Sequence, residues 1–454
     1  MIRLKVFLND VLVGHLTNDP QTNRFAFDYA PAWANDARSY GLSPRLPLEA
    51  DGTQTAEQHS TEVRQFFENL LPEGEALDAV SVLHQVSKAN LVGLLIHIGR
   101  DMAGALRVEI DSPVPSSALP AAAPSVLRPL SHEELSDRIR QRAQQPFAVW
   151  DGKVRMSVAG FQDKIVAFEH EGQWSFVESG PCASNVIIKP EPKNPRMAGM
   201  TGNEFMCMQL ASAVGLPTAR VQLKHIPEPV LVIERFDRET ASDGSWVSRK
   251  HVIDGCQALG LSSGFKYERP YGSGVDVRAI RDGASLPKLF ALMAHTAAPA
   301  RQRQQLLQWV IFQVLIGNTD AHAKNVSFFC GSAGLELSPT YDLVCAPAFS
   351  VNDLEDEYAM AIGDAFKPEE LTAFEWAEFA VQCGLQPRLV GSEIKKLCQM
   401  TKKVLPTIAE IAATHKVPDN IIAGVSTTVQ AMCESQLRPA DGIARVDPNL
   451  LSSA

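Results

Sequence analysis

The first hundred residues alternate between apolar and polar positions in the way that half-buried strands do. The alternation runs through three segments: 2–8 (IRLKVFL), 11–16 (VLVGHL) and 25–29 (FAFDY). Residues 60–74 (STEVRQFFENLLPEG) then change to helical spacing, and Ser60 is placed to cap the helix. These patterns predict a small α+β unit over residues 1–108.

A linker is predicted at residues 109–130, because this stretch is rich in Pro, Ala and Ser. Three further strands are predicted beyond it, at 165–168, 174–177 and 185–190 (NVIIKP). A helix at 203–216, which Gly215 ends, and an apolar strand at 230–236 (VLVIERF) complete a unit over 131–250. Residues 251–445 have a mostly helical pattern, which predicts a helical lobe.

The amino-acid composition excludes several classes of protein. Of the 454 residues, 42 are Lys or Arg and 52 are Asp or Glu, so the formal charge is −10. This balance argues against a chain built mainly to grip nucleic acid, although a local basic patch stays possible. The eight cysteines form no CxxC pair, which favours buried, reduced thiols. No signal-peptide core and no apolar run of membrane-spanning length occur, so a cytoplasmic protein without membrane contact is expected.

Residues 317–327 (GNTDAHAKNVS), called the candidate loop below, concentrate polar side chains directly after the apolar run 306–316 (LLQWVIFQVLI). A helix that is apolar nearly all round is buried, and Gly317 stands where a helix-ending glycine belongs. A hairpin is predicted next, from VSFF and LELS around the turn GSAG, and it leads to Asp342. The pattern therefore predicts a polar loop anchored in a core, which suits catalysis.

Phosphoryl transfer requires the side chains found here. One carboxylate accepts the proton of the attacking hydroxyl, an Asn and a second carboxylate hold Mg²⁺, and a Lys contacts the phosphates. Asp320 and Asn325 are five residues apart, as in the protein-kinase signature HRDLxxxN, and Asp342 follows the hairpin. Lys189 ends a VIIK strand similar to VAIK. Each feature alone is weak, but their order predicts a kinase-like phosphotransferase that uses ATP and Mg²⁺.

The sequence departs from the protein-kinase motifs in two ways, and these differences exclude an ordinary eukaryotic-type kinase. The chain has no GxGxxG, and its candidate phosphate loop, 157–164 (SVAGFQDK), contains one glycine. HRD, DFG and APE are also absent, and His322 follows Asp320 instead of preceding it.

Seven motifs together resemble the HipA family of bacterial serine/threonine kinases, the toxin half of type II toxin–antitoxin modules. They are SVAGFQDK, VIIKP, NEFMCMQLASAVGL, VIERFDR, DGCQALG, GNTDAHAKN and PTYDL. The resemblance implies an α+β, bilobal, protein-kinase-like (PI3/4-kinase-like) fold. That fold has an extra N-terminal α+β subdomain and a mostly helical C-terminal lobe.

The resemblance also implies roles for individual residues. Asp320 would be the catalytic aspartate, Asn325 and Asp342 would bind Mg²⁺, and Ser157 would be an autophosphorylated serine whose modification switches the kinase off. Glu234 and Phe236 would form the hinge that holds adenine. The full nucleotide-binding set would be Lys189, Ala159, Gly160, Phe161, Glu234, Phe236, Gln257, His322, Lys324 and Asn325.

Two assignments stay open at this stage. Glu204 is either a partner of Lys189 or a first-turn glutamate that favours the helix dipole. Lys324 is either a residue of the nucleotide site or an ordinary solvent-exposed lysine, and the sequence fits both equally well.

The resemblance further implies a helix-turn-helix, HipB-like antitoxin as partner, through which the chain would mainly reach operator DNA. The protein substrate would be an aminoacyl-tRNA synthetase, glutamyl-tRNA synthetase being the best-known target. Three alternatives remain. They are a small-molecule phosphotransferase of the aminoglycoside type, a degenerate kinase acting as a scaffold, and a metal hydrolase that uses Asp320, His322 and Asp342.

Overall fold

The computed structural model describes residues 1–49, 52–99, 101–111, 124–155, 162–349 and 356–451. The chain divides into two compact units and passes from one to the other several times. Unit 1 contains Met1–Pro190, Lys224–Ile253 and Phe329–Ala333. Unit 2 contains Glu191–Leu223, Asp254–Phe328 and Gly334–Ala454. The four-part division drawn from the sequence stays a prediction.

Unit 1 begins with a four-stranded antiparallel sheet that confirms the three predicted strands. Its strands, in spatial order, are Arg24–Tyr29, Val11–Asp19, Ile2–Leu8 and Leu106–Ile110. Alternate residues of the central strand point into the core, where Leu4, Val6 and Leu8 are buried. The helices of this region are Pro31–Ala34, Ala56–Glu68, Gly74–His84 and Leu91–Ile98.

The helix Ala56–Glu68 begins four residues before the predicted cap at Ser60, so that prediction was wrong. Thr55 is the N-cap, since its hydroxyl accepts from the Gln58 backbone N–H while the Gln58 side chain accepts from the Thr55 N–H. This capping box satisfies two N–H groups that lack helical partners. The Ser60 hydroxyl instead accepts from the Phe25 backbone N–H, at 2.9 Å, and so ties the helix to the sheet.

A second sheet in unit 1 contains, in spatial order, Pro229–Glu234, Val186–Pro190, Ile165–His170, Gln173–Ser179 and Val126–Leu130. The predicted strands are confirmed, with two differences. The strand predicted over 230–236 ends at Glu234, because the chain then turns and the Arg238 N–H donates to the Arg235 carbonyl. Residues 126–130, placed in the linker by composition, pair as an edge strand with Gln173–Ser179.

The core of this second sheet is built from large apolar side chains. The helix His132–Gln141 packs its buried Leu135 and Ile139 into it. Its largest members are Phe147, Trp150, Trp174 and Phe176. Two short strand pairs complete the unit, Val149–Trp150 with Lys153–Val154 and Arg238–Thr240 with Val247–Arg249.

Unit 2 is mostly helical, and within it the residues from 254 onward agree with the helical pattern predicted for 251–445. Its principal helices are Met200–Ala213, Gly255–Leu259, Leu286–Ala291, Pro299–Ile316, Ala373–Gln382, Pro387–Thr414 and Asp419–Ala440. The predicted hairpin is present as the strands Ser327–Gly331 and Gly334–Leu337. The Ser338 N–H donates to the Ser327 carbonyl at 2.9 Å across it.

The helix Met200–Ala213 begins three residues before the predicted start at 203. The Glu191 carboxylate accepts from the backbone N–H groups of Gly199, Met200 and Thr201, at 2.8, 3.1 and 3.2 Å. A carboxylate at this end satisfies the unpaired N–H groups and opposes the helix dipole, so the helix extends back to it.

All eight cysteines are free, and seven of them are buried, in agreement with the predicted buried thiols. Among the residues that the structure describes, no helix is both long and apolar enough to cross a membrane.

Candidate functional site

The candidate loop is anchored by the buried helix Pro299–Ile316, as the apolar run predicts. Eleven of its residues are buried, including the whole segment from Trp309 to Ile316. Gly317 ends the helix with φ of 66°, and an added Cβ there would lie 3.0 Å from Pro347. The backbone conformation therefore favours glycine, and an added Cβ would in addition press on the Pro347 ring.

Asp320 and Asn325 lie in one turn, held together by hydrogen bonds of the loop itself. The Asn325 side-chain amide donates to the Asp320 carbonyl at 2.8 Å, and the His322 N–H donates to the same carbonyl at 2.8 Å. The Asn318 side chain accepts from the Asp320 N–H at 3.1 Å. The loop backbone is thus fixed while the Asp320 side chain stays 62% exposed.

The Asp320 carboxylate contacts two rings. The Tyr267 hydroxyl donates to Oδ1 at 2.5 Å, and Nε2 of His322 lies 3.8 Å from the same oxygen. The two rings meet edge to face, with centroids 5.1 Å apart and planes at 84°. Sequence reasoning missed Tyr267, because it lies 53 residues before Asp320 and outside the motifs.

His322 is a buried member of this group. Burial first, and the charge of Lys266 second, lower the pKa of His322 to about 3, so its imidazole is neutral near pH 7. Its Nδ1 is buried and has no hydrogen-bond partner among the described residues. A neutral imidazole whose buried nitrogen has no partner in the protein can form a hydrogen bond to a polar ligand.

Lys324 is buried and paired, which decides against solvent exposure as its explanation. Its ammonium lies 2.7 Å from Oδ2 of Asp254, and its side chain is 4% exposed. Asp254 in turn caps the helix Gly255–Leu259 through a capping box with Gln257, whose side-chain carbonyl accepts from the Asp254 N–H. The loop lysine is therefore tied to the start of a neighbouring helix.

Asp342 follows the hairpin and adopts a left-handed backbone conformation with φ of 58°. The residue before it is held firmly, since the Tyr341 hydroxyl donates to the Lys324 carbonyl at 2.8 Å and lies 2.7 Å from the Ser327 hydroxyl. Burial raises the pKa of Tyr341, so the phenol keeps its proton. The Asp342 carbonyl is also 3.5 Å from the Asn318 amide nitrogen. The structure thus attaches the Asp342 segment to the candidate loop.

The donor atoms of this group suit Mg²⁺. Because the Asn325 amide nitrogen donates to the Asp320 carbonyl, Oδ1 is the atom of that side chain left to act as a ligand. An amide oxygen from Asn325 and a carboxylate from Asp342 are hard oxygen donors, and Mg²⁺ takes few protein ligands alongside substrate phosphates. Among the described residues no three His, Cys, Asp or Glu side chains cluster as a metal site, which gives the metal-hydrolase alternative no support.

Of the predicted nucleotide-binding residues that the structure describes, three belong to unit 1. Lys189 is buried in the strand Val186–Pro190, opposite Leu231. Glu234 is exposed at the end of its strand, and Phe236 packs edge to face on Phe329 with centroids 5.9 Å apart. Ser157, Ala159, Gly160 and Phe161 lie outside the described residues.

Glu204 lies in the second turn of its helix, because the helix begins at Met200, and it is 1% exposed. The reading of Glu204 as a first-turn glutamate is therefore wrong. Its pairing with Lys189 stays a prediction.

Comparison with protein-family models finds two matches that together span most of the chain. Residues 4–109 match the HipA N-terminal domain, and residues 156–405 match the HipA-like C-terminal domain. The second match includes the candidate loop, the hairpin and Asp342.

Individual relatives cover the chain almost from end to end. It is 36% identical to the serine/threonine-protein kinase toxin HipA of Shewanella oneidensis, over 98% of both chains. Among solved structures, it is similar to the HipA chain of the Shewanella oneidensis MR-1 complex of HipA, HipB and operator DNA. That match has a TM-score of 0.84 and 35% identity, and it covers 98% of this chain and 100% of the other.

Proposed function

The chain belongs to the HipA family of serine/threonine-protein kinases, and we propose that Asp320 is the carboxylate with which it transfers phosphate from ATP to a protein hydroxyl. The observation that carries the proposal is the candidate loop itself. It presents an exposed carboxylate from a rigid turn that also contains Asn325 and is attached to the Asp342 segment. Membership of the family confirms the expectation of an enzyme, a serine/threonine kinase.

In the proposed reaction, Asp320 accepts the proton of a serine or threonine hydroxyl. The hydroxyl oxygen forms a bond to the γ-phosphorus, the bond from that phosphorus to the β–γ bridging oxygen breaks, and ADP leaves. Asn325 and Asp342 would hold Mg²⁺, which neutralises charge on the phosphates when it is bound. Such proton acceptance contributes about 10²- to 10⁴-fold to a rate.

The remaining assignments concern the nucleotide. We assign the phosphates to Lys189, Lys324 and the loop residues Ala159, Gly160 and Phe161, and the adenine to Glu234 and Phe236. His322 and Gln257 would line the same site. The buried, neutral imidazole of His322, with its unpaired Nδ1, supports this role because it can bond to a ligand without adding charge.

Ser157 is proposed as the site of autophosphorylation that switches the kinase off. The Ser157→Ala variant should therefore incorporate no label from radioactive ATP into the segment 157–164, while it keeps phosphate transfer to other proteins. Phosphopeptide mass spectrometry measures this directly. Phosphate found on that segment in the variant would refute the assignment.

The similar structure contains HipB and operator DNA, which supports a proposal about the partners of this chain. We propose a HipB-like helix-turn-helix antitoxin for this chain, with operator DNA reached mainly through it. The proposed protein substrate is an aminoacyl-tRNA synthetase, with glutamyl-tRNA synthetase as the first candidate. Its phosphorylation would arrest translation and growth.

Incubation with radiolabelled ATP, Mg²⁺ and a bacterial lysate tests the central proposal. Wild-type protein should label a protein band of synthetase size, and Asp320→Asn should lower that labelling about 10²- to 10⁴-fold without unfolding. Asp276→Asn is the matched control, since it removes the same charge from an exposed position. Label found only in small molecules would favour the aminoglycoside-type alternative, and a toxic, active Asp320→Asn variant would refute the mechanism.

A further inference from the structure

A small cavity within unit 2 borders the candidate loop. It is lined by residues of the helix Pro299–Ile316, by Leu216 and Pro217, by the end of the candidate loop and by the segment 337–341, which leads to Asp342. The cavity volume is about 20 Å³. A water molecule needs about 10–15 Å³ of such space, so one or two water molecules fit.

Two buried side chains of this cavity have polar atoms without a protein partner. Trp309 is 4% exposed and Thr340 is 6% exposed, and neither the indole Nε1 nor the threonine Oγ1 has a hydrogen-bond partner among the described residues. The same is true of Oε1 of the partly buried Gln305. Because a buried polar atom without a hydrogen bond is costly, three of them in one small cavity indicate a polar ligand.

Two of the three groups come from one face of the helix Pro299–Ile316. Gln302, Gln305 and Trp309 share this face, since they are spaced by three and then four residues. At Gln302 the helix bonds directly to the neighbouring segment, because the side-chain oxygen accepts from the Leu337 N–H at 2.8 Å. Gln305 and Trp309, on the following turns, line the cavity instead.

The third group, the Thr340 hydroxyl, belongs to a segment whose backbone is held on its other side. The Thr340 N–H donates to the Pro217 carbonyl at 2.8 Å, and the Thr340 carbonyl accepts from the Ala219 N–H at 2.9 Å. These bonds oppose a shift of the segment that would close the cavity. A ligand in the cavity would therefore bridge the helix and the segment.

The polarity of the three groups selects the class of ligand. An indole N–H only donates, an amide oxygen only accepts, and a hydroxyl does either. A cation would be opposed by the indole N–H and an anion by the amide oxygen. Water donates two hydrogen bonds and accepts two, and buried water typically makes about three bonds to groups that are otherwise unpaired.

We propose that this cavity is a water-binding site, in which one or two ordered water molecules bond to Trp309, Gln305 and Thr340. The water accepts from the indole N–H, donates to the amide oxygen and bonds to the hydroxyl. It thereby joins the helix that anchors the candidate loop to the segment that leads to Asp342. The inference goes beyond the proposed kinase function and does not depend on it.

A high-resolution crystal structure of the full chain tests the site directly. Ordered water should lie within about 3.2 Å of Trp309 Nε1, Gln305 Oε1 and Thr340 Oγ1. A cavity without density for water, or direct bonds between these groups across a closed cavity, would overturn the inference.

The Thr340→Val variant provides a test in solution, because it replaces the hydroxyl with a methyl group of similar size. If the hydroxyl bonds to water, the variant loses a hydrogen bond and its thermal unfolding midpoint should fall by roughly 2 °C. If the cavity is dry, the variant removes an unpaired polar group, and the midpoint should stay unchanged or rise. An unchanged or higher midpoint therefore contradicts the proposal.

Thr401→Val is the matched control. Thr401 is fully buried and its Oγ1 also has no hydrogen-bond partner among the described residues, but it does not line this cavity. The same substitution at Thr401 should therefore not lower the unfolding midpoint. An equal fall in both variants would attribute the effect to any buried threonine and would overturn the role given to the water.

Discussion

Gly255 supports the candidate loop from a neighbouring helix. Its N–H donates to the Val326 carbonyl at 2.9 Å, and a Cβ added to it would lie 2.5 Å from the Ala323 carbonyl oxygen. Real Cβ atoms do not approach a backbone oxygen so closely. A glycine is therefore needed here because two backbones meet, and the loop keeps its shape only if they do.

The Gly255→Ala variant should move the candidate loop and lower both stability and activity. Overpacking of this kind costs about 1–3 kcal/mol. Thermal unfolding and Asp320-dependent labelling measure the two effects. Gly264→Ala is the control, since a Cβ there meets no atom within 4 Å and should change neither. A Gly255→Ala variant as stable and active as the wild type would contradict this account of the loop.

At the scale of elements, a buried group of charges holds the segment that follows the strand Pro229–Glu234. We call Asp101, Arg235, Asp237 and Arg238 the Arg–Asp cluster. Asp237 accepts from Arg235 at 3.0 and 2.9 Å and from Arg238 at 2.7 Å. Both arginine side chains are nearly inaccessible, at 2% and 1% exposure.

The Arg–Asp cluster also joins distant parts of unit 1. The Gly104 N–H donates to Asp237 at 2.8 Å, and Arg238 donates to the Gly104 carbonyl at 2.8 Å and to the Met102 carbonyl at 2.9 Å. The turn that contains the proposed hinge residue Phe236 is thereby fixed to the segment that leads into the strand Leu106–Ile110. The proposed hinge residue Phe236 is thus supported by its neighbours in the VIERFDR motif, Arg235, Asp237 and Arg238.

Asp237→Asn should destabilise the protein by about 3–5 kcal/mol, because it removes the carboxylate charge that both buried guanidinium groups contact and leaves Asp101 alone to balance them. Urea unfolding measures the change. Glu239→Gln, two residues away and paired with Lys250 only at 3.8 Å on the surface, should have little effect. Equal unfolding midpoints for the two variants would show that the cluster does not hold the turn.

The same cluster predicts how stability depends on pH. Burial alone would raise the pKa of Asp237, but Arg235 and Arg238 lower it well below its usual range. Burial would also raise the pKa of Asp101, but Arg249 and Arg238 outweigh this effect and lower the pKa to about 2. Carboxylates with depressed pKa values stabilise the fold above the pKa of the unfolded chain and lose this effect as the pH falls. Stability should therefore decline from about pH 4 towards pH 2, and less steeply in Asp237→Asn than in the wild type.

At the scale of the whole molecule, the net charge of −10 opposes contact with a polyanion. If operator DNA is reached mainly through an antitoxin, the isolated chain should not shift operator DNA in a gel at about 0.15 M salt, while the complex with its antitoxin should. A protein with few phosphate contacts also shows little dependence on salt. Tight, salt-sensitive binding of DNA by the isolated chain would contradict the proposed assignment.

Much of the fold and part of the site were predictable because their signals are local. Strand alternation, the apolar helix before Gly317 and the gap between Asp320 and Asn325 each lie within a few neighbouring residues. The residue at which the helix Ala56–Glu68 begins was less predictable. Ser60 and Thr55 are both residue types that cap helices well. Thr55 is the N-cap because Gln58 completes its capping box, while the Ser60 hydroxyl bonds to the sheet instead.

The sequence by itself determined the order of the elements, the polar loop after a buried helix and the residue types suited to phosphoryl transfer. Only the tertiary structure decided that Tyr267 bonds to Asp320, that Lys324 is buried against Asp254 and that Gly255 meets the loop backbone. The physical reason is distance along the chain: these contacts join residues 53 to 70 positions apart. No periodicity or spacing reports a contact of that kind, since it forms only when separate elements pack together.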